Sequence, residues 1–124
     1  MANAVKVVIS DSAEEVAQKA ADFVIKEINA KPRFVLGLAT GSTPEATYAK
    51  LAEANKAGKV DFSKVTTFNL DEYWGLDGSH DQSYRYFMND RLFNHVNIDI
   101  WNTHVLNGMA RFPALECEAF EQQI

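Results

Sequence analysis

Only one cysteine, Cys117, occurs in this chain of 124 residues, so no internal disulfide can form. A small domain without that brace must hold itself by its core, and a reducing compartment, the cytoplasm, is its expected home. Basic charge is equally thin. Twelve Lys and Arg stand against seventeen Asp and Glu, a net charge of −5. No basic stripe exists to meet a phosphate backbone, which speaks against nucleic acid as a partner. The apolar runs are far too short to cross a bilayer, so no membrane partner is expected, and no basic segment followed by an apolar one marks a secretory signal at the N-terminus. Two nucleotide signatures are also missing. There is no Gly-Lys-Ser/Thr ending of a P-loop and no Gly-x-Gly-x-x-Gly spacing, which sets aside nucleoside triphosphates and dinucleotides. None of His80, His95 and His104 shares metal-ligand spacing with another His, Cys or acid.

What is present alternates between short β-prone runs and helical patterns. Val5 to Ile9 reads as a first strand. Ser12-Ala13-Glu14-Glu15 fits a capping box in which Glu15 returns to the Ser12 amide. Val16, Ala20, Phe23, Val24 and Ile28 then give a helix one apolar stripe, and Lys31-Pro32 stops it. Arg33 to Leu38 is a second strand, apolar enough to expect burial on both faces. Thr43 should cap the next helix, with Pro44 in its first turn and Gly58 closing it. Val65 to Leu70 is a third strand and residues 72–82 a polar loop. From Ser83 a helix carries Tyr84, Phe87, Met88 and Leu92. A short strand is expected around His104-Val105-Leu106, and Pro113 opens a last helix. Cys117 reads as a partly buried, inert thiol, and Trp74 and Trp101 as packing residues. This alternation specifies an α/β fold: a doubly wound, mainly parallel, Rossmann-like sheet with helices on both faces. Three or four strands are few for that architecture, and the chain ends within a helical pattern. The expectation is therefore an incomplete sheet.

Two strand ends carry chemistry, because open α/β sheets bind their ligands at the carboxyl ends of strands. After the second strand comes Thr40-Gly41-Ser42-Thr43. Gly41 lets the backbone approach a ligand, the hydroxyls of Ser42 and Thr43 can donate to it, and the following helix offers unpaired amides. Together these suit a phosphate, although the tetrapeptide also fits a plain cap after a tight turn. After the third strand come Asp71 and Glu72. Adjacent residues point to opposite sides, so one would face the cleft while the other makes structural bonds. A positioned carboxylate can act as a general base. An acid pair that merely opens a solvated loop is the commoner meaning of such a dipeptide.

Taken together, these residues resemble the glucosamine-6-phosphate deaminase/isomerase family. The resemblance rests on Gly37-Leu38-Ala39-Thr40-Gly41-Ser42-Thr43-Pro44, on Phe68-Asn69-Leu70-Asp71-Glu72-Tyr73 followed by Gly75-Leu76, on Ser83-Tyr84-Arg85-Tyr86-Phe87-Met88, and on the Leu106-Asn107-Gly108 turn. It implies conversion of glucosamine 6-phosphate and water to fructose 6-phosphate and ammonia, with no metal and no organic cofactor. By that resemblance Gly41, Ser42 and Thr43 would hold the sugar phosphate with Thr40 at the entrance. Asp71 would move the proton from C2 to C1, and Glu72 would support it. The implied partner is a small-molecule sugar phosphate, with a homo-oligomer left open. Family members are about twice as long, and their ring-opening histidine sits in a later segment resembling Gly-x-Gly-x-x-Gly-His-Ile-Gly-Phe-Asn-Glu. That segment is absent here. Residues 1–124 are thus expected to form the N-terminal portion of a single sugar-phosphate isomerase/deaminase domain, inactive in isolation. Two other functions share the fold: a 6-phosphogluconolactonase-type hydrolase, and a sugar-phosphate-sensing effector domain that does no chemistry.

Overall fold

The computed structural model describes residues 3–124. Three parallel strands form one sheet in the order β1 (Val35–Leu38), β2 (Thr66–Asn69), β3 (Thr103–His104). Helices α1 (Ala13–Ala30) and α2 (Glu45–Lys56) lie around β1, α3 (Tyr84–Arg91) connects β2 towards β3, and α4 (Pro113–Gln123) follows.

The register assigns the faces. Leu36 pairs with Thr67 and Leu38 with Asn69, so these four side chains share one side of the sheet. Leu36 and Leu38 pack there against a core of Ala21 and Ile28 from α1, Tyr48 and Leu51 from α2, and Met88 from α3. The other side presents Val35, Gly37, Phe68 and His104. Among the described residues α4 is the helix that covers it: the ring of Phe120 stands edge-on to Phe68, and His104 stacks on Phe68 at 4.6 Å. Helices therefore occupy both faces, as the pattern of elements predicts. The burial expected of β1 on both faces is not observed, because Val35 is exposed and Leu36 faces the core. α4 reaches β2 and leaves the β1 end of that face open.

The run from Val5 to Ile9 does not form a strand. Strand geometry needs a hydrogen-bonding partner, and this segment pairs with neither edge of the sheet, leaving Ile9 86% exposed. Val8 instead runs beside Val16, Ala20 and Phe23 of α1. The apolar residues of α1 thus divide between two directions: Ala21 and Ile28 enter the core, whereas Phe23 remains 64% exposed.

Local signals otherwise act where expected. The Ser12 hydroxyl accepts from the Glu15 amide, although the Glu15 carboxylate accepts from Asp11 N rather than from Ser12. Lys31 ends α1 before Pro32. Gly58, at φ +74°, lets Lys59 N reach Ala54 O and close α2. Ser83 caps α3 by accepting from Tyr86 N at 3.2 Å. β3 forms at Thr103–His104, slightly before the expected His104 to Leu106, because only Thr103 and His104 find partners on β2. Trp74 and Trp101 are not packing residues, being 72% and 85% exposed. Cys117 is exposed rather than partly buried, since α4 turns only Phe120 fully inward. No helix among the described residues is long and apolar enough to cross a membrane.

Candidate active site at two adjacent strand ends

β1 and β2 are neighbours, and the pair Leu38↔Asn69 is the last step of their ladder. Two residues beyond Leu38 is Thr40, and two beyond Asn69 is Asp71. The two segments singled out from the sequence therefore leave the sheet side by side, at the carboxyl edge where such folds bind ligands.

The loop after β1 is held from beneath. The Tyr48 hydroxyl accepts from Ala39 N at 3.1 Å and donates to Ala39 O, satisfying both polar groups of one loop residue. The Asn69 amide donates across the strands to Leu38 O at 3.0 Å. Burial pushes the Tyr48 phenol up to about 12, against a smaller lowering by its bond to Ala39. Its folded value lies above the ordinary 10.0, so its contribution to stability is complete below pH 10 and is lost as the pH rises towards 12. Replacing Tyr48 by Phe should leave the Ala39 groups unpaired and cost about 1–3 kcal/mol, measurable as a lower urea midpoint at pH 7.

Above this support the loop is open. Gly41 takes φ +99°, a conformation that disfavours any side chain. Gly41, Ser42 and Thr43 are exposed and Thr40 is half-buried. Thr43 does not cap α2. Pro44 occupies the cap position with helical angles, and no side chain bonds the first-turn amides. The cause is a turn one residue longer than expected, in which Glu45 N bonds Ser42 O at 3.3 Å. The side-chain hydroxyls of Ser42 and Thr43 have no protein partner among the described residues, and in the first turn of α2 the Ala46 and Thr47 amides stay free while Glu45 N is spent on Ser42 O. A loop with unspent donors, a positive backbone end and a left-handed glycine is suited to an anion.

The acid pair divides its work. Glu72 turns inward and accepts from Tyr73 N and Tyr84 N at 2.8 Å, and from Arg85 N and Ser83 Oγ at 2.9 Å. Its carboxylate joins the loop after β2 to the N-terminus of α3, where negative charge is also favoured by the helix dipole. Burial raises its pKa, but the Arg85, Tyr84 and Tyr73 amides and the Ser83 hydroxyl together hold it below the usual 4.5. A depressed folded value means stability that is present above pH 4.5 and lost as the pH falls through the folded value, because the unfolded chain takes up its proton first. A Glu72→Gln variant, with one acceptor oxygen fewer, should lose about 1–2 kcal/mol at pH 7. It should also lose part of the acid-side slope of stability, which urea titrations between neutral pH and pH 4 would read.

Asp71, by contrast, is exposed, and its carboxylate has no hydrogen-bond partner among the described residues. Nearby stand Tyr73 and Tyr84, their hydroxyls 3.3 Å apart. The loop between is clamped from the far side: Gly75 N donates to Gly108 O at 2.7 Å, and the Trp74 indole to Ala110 O at 3.1 Å. The histidines are engaged elsewhere. His80 accepts from Gln82 N, His95 meets Asp90 O, and His104 stacks on Phe68. No cluster of three His, Cys, Asp or Glu side chains able to hold a metal is found among the described residues.

Tyr48, Asn69 and the Tyr73–Tyr84 pair are site residues that sequence reasoning passed over. Tyr48 is itself a core residue, buried beside Leu51. Its hydroxyl acts through a tertiary contact nine residues back in sequence, and no local pattern announces it.

Residues 9–124 match the family of glucosamine-6-phosphate isomerases/6-phosphogluconolactonase. The glucosamine-6-phosphate deaminase of Clostridium tetani is 55% identical over 119 residues, covering 96% of this chain and 49% of its own length. That of Shewanella woodyi is 53% identical over 119 residues, covering 96% of this chain and 45% of its own length. Among solved structures, a monomeric glucosamine-6-phosphate deaminase superposes with a TM-score of 0.92 at 40% identity, covering 96% of this chain and 49% of that one. A 6-phosphogluconolactonase from Thermotoga maritima superposes with a TM-score of 0.63 at 29% identity, covering 83% and 48%. The chain spans about half the length of the curated relatives it matches.

Proposed function

The chain belongs to the family of glucosamine-6-phosphate isomerases and 6-phosphogluconolactonases, and on that premise we propose that it supplies the phosphate loop and the proton-abstracting acid of an amino-sugar phosphate deaminase. The substrate is glucosamine 6-phosphate, and the products are fructose 6-phosphate and ammonia. The observation that carries this reading is the juxtaposition of an open anion-binding loop and an unengaged carboxylate on adjacent parallel strand ends.

The geometry supports a division of labour. Gly41, Ser42, Thr43 and the first amides of α2 bind the 6-phosphate, and Thr40 stands between that anchor and the acid. A phosphate fixed there removes the freedom of the open-chain sugar to drift, so one carboxylate can serve two neighbouring carbons. Asp71 takes the C2 proton and returns it to C1, which turns the open-chain 2-amino aldose through an enolamine into a C2 imine, and water then hydrolyses that imine to fructose 6-phosphate and ammonia. Glu72 does no proton transfer. Its four hydrogen bonds hold the backbone that carries Asp71.

The lactonase reading shares the phosphate loop but needs a water-activating base instead of an enolising one. The 55% and 53% identities to deaminases, against 29% to the lactonase, favour deamination. Ammonia release from glucosamine 6-phosphate by the full-length protein, compared with hydrolysis of 6-phosphogluconolactone, tests the choice. Lactone hydrolysis without ammonia release would overturn the deaminase reading. Binding of sugar phosphate with neither reaction would make the protein a sensor. We assign it to the cytoplasm, where such a substrate and a lone exposed cysteine are both at home.

A further inference from the structure

The grip of Glu72 on the start of α3 has a consequence for the first side chain of that helix. With its amide fixed to Glu72 Oε1 at 2.8 Å, Tyr84 is delivered to the same edge of the sheet as Asp71 and the 39–43 loop. Its ring leans on that of Tyr73, with centroids 4.9 Å apart and a tilt of 49°, and the two hydroxyls meet at 3.3 Å. That hydroxyl is also sensitive to Thr40 on the β1 side, which lowers its pKa, and to the Asp71 carboxylate on the β2 side, which raises it. The Tyr84 hydroxyl is thus placed beside the segment that carries Asp71, and Thr40 of the neighbouring strand end also acts on it.

Packing does not account for this placement. The residue is only partly buried and is not a member of the core, to which α3 contributes Met88 and Phe87. A phenol that served only to cover apolar surface would have no need to bring its hydroxyl between two polar groups. The hydrogen bond to Tyr73 raises the Tyr84 pKa, as do desolvation and the charges of Tyr73 and Asp71, outweighing the lowering by Thr40. The hydroxyl therefore stays protonated at neutral pH and can both donate and accept. Between a phosphate anchor and an enolising acid, a hexose phosphate presents a row of hydroxyl groups, which need such a partner.

We propose that Tyr84 is a substrate-binding residue that hydrogen-bonds the polyol chain between the phosphate anchored at Gly41–Thr43 and the carbon facing Asp71. This inference rests on the sugar-phosphate reading of the site and adds a specificity element to it. Tyr73 holds the phenol in place while the site is empty, and the sugar hydroxyl takes over that bond on binding. Because Tyr84 reports on the carbon chain and not on the phosphate, it distinguishes a sugar phosphate from phosphate alone.

The test compares two probes on the full-length protein and its Tyr84→Phe variant by calorimetric titration. The probes are glucitol 6-phosphate, an open-chain hexose phosphate with no carbonyl to react, and inorganic phosphate. The variant should bind glucitol 6-phosphate roughly three- to tenfold more weakly, the change expected of one neutral hydrogen bond. Its affinity for inorganic phosphate and its melting temperature should be unchanged. Tyr73→Phe, which leaves the Tyr84 phenol in place, should change the affinity ratio of the two probes less. An unaltered ratio in Tyr84→Phe overturns the proposal, and so does equal binding of the two probes by the unaltered protein. If the unaltered protein prefers glucitol 6-phosphate, loses that preference in Tyr84→Phe, yet releases no ammonia, the deaminase reading fails and the role of Tyr84 stands.

Discussion

An Asp71→Asn variant of the full-length protein is expected to lose exchange of the substrate C2 hydrogen with solvent and to release ammonia about 10²–10⁴-fold more slowly, the usual contribution of a positioned general base. Its melting temperature should match that of the unaltered protein. The second expectation follows from the structure. The Asp71 carboxylate is exposed and has no hydrogen-bond partner among the described residues, so an isosteric amide there leaves no buried group unpaired. Inhibition by inorganic phosphate should also persist, since the donors of the Gly41–Thr43 loop lie on the other strand. Glu72→Gln should give the reverse signature: a loss of stability, with catalysis reduced only as far as the loop loosens. Deuterium exchange monitored by proton NMR, run beside thermal melts of both variants, separates the two acids. Full C2 exchange in Asp71→Asn would remove that residue from the role of base, whatever happened to ammonia release.

That two adjacent acids should differ so sharply was legible in the sequence only as a geometric rule. Neighbouring residues point apart, so one turns inward and the other outward, but which does which depends on where α3 begins. Ser83 marks that beginning locally as an N-cap. Its hydroxyl also donates to Glu72 eleven residues earlier, and no periodicity reveals that contact. The same division runs through the whole chain. The stop before Pro32, the strands ending at Leu38 and Asn69, the closure at Gly58 and the cap at Ser83 are set by residues within a few positions of each other. Their elements form close to where expected, the two strands being shorter than the Arg33 to Leu38 and Val65 to Leu70 read from sequence. The segment from Val5 to Ile9 has strand composition, yet a strand exists only with a partner, and within residues 3–124 it has none. Trp74 reads as a packing residue because large aromatics usually bury. Here it stays exposed and spends its indole N–H on Ala110 O. At the site, the loop glycine and the hydroxyl residues are visible in sequence. The groups that hold them from below, Tyr48 and Asn69, act through tertiary hydrogen bonds and are not.

Gly108→Ala should be the most destabilising single change at this edge of the molecule. A Cβ at position 108 would come within 2.4 Å of Leu76 O, 2.5 Å of Tyr73 O and 3.3 Å of Glu72 Cγ. The first two are backbone carbonyls, which cannot rotate out of the way as a side chain can. The loop must move as a body or the 106–110 turn must. Either movement breaks the bond from Gly75 N to Gly108 O at 2.7 Å and disturbs the contact of Trp74 with Ala110 O. Overpacking a tight site typically costs about 1–3 kcal/mol and occasionally more, and the loss of that backbone bond adds about 1 kcal/mol. A total near 3 kcal/mol lowers the melting temperature by roughly 10 °C in a domain of this size. Gly78→Ala is the comparison, because its Cβ would meet Arg85 Cγ at 2.9 Å, one side-chain carbon rather than two backbone carbonyls, although the Arg85 guanidinium is held by Thr103 Oγ1 and O. That substitution should cost less than Gly108→Ala. The contrast matters for the chemistry because residues 72–76 carry Glu72 and Tyr73 and lead directly from Asp71. A displaced loop would shift the acid relative to a phosphate held on β1, and misplacement by about 1 Å can cost 10²-fold in rate. Gly108→Ala should therefore lose stability and turnover together, while Asp71→Asn loses turnover alone. A Gly108→Ala protein that melts with the unaltered one would mean that the turn does not clamp the loop, and that the position of Asp71 is set by β2 and α3 without it.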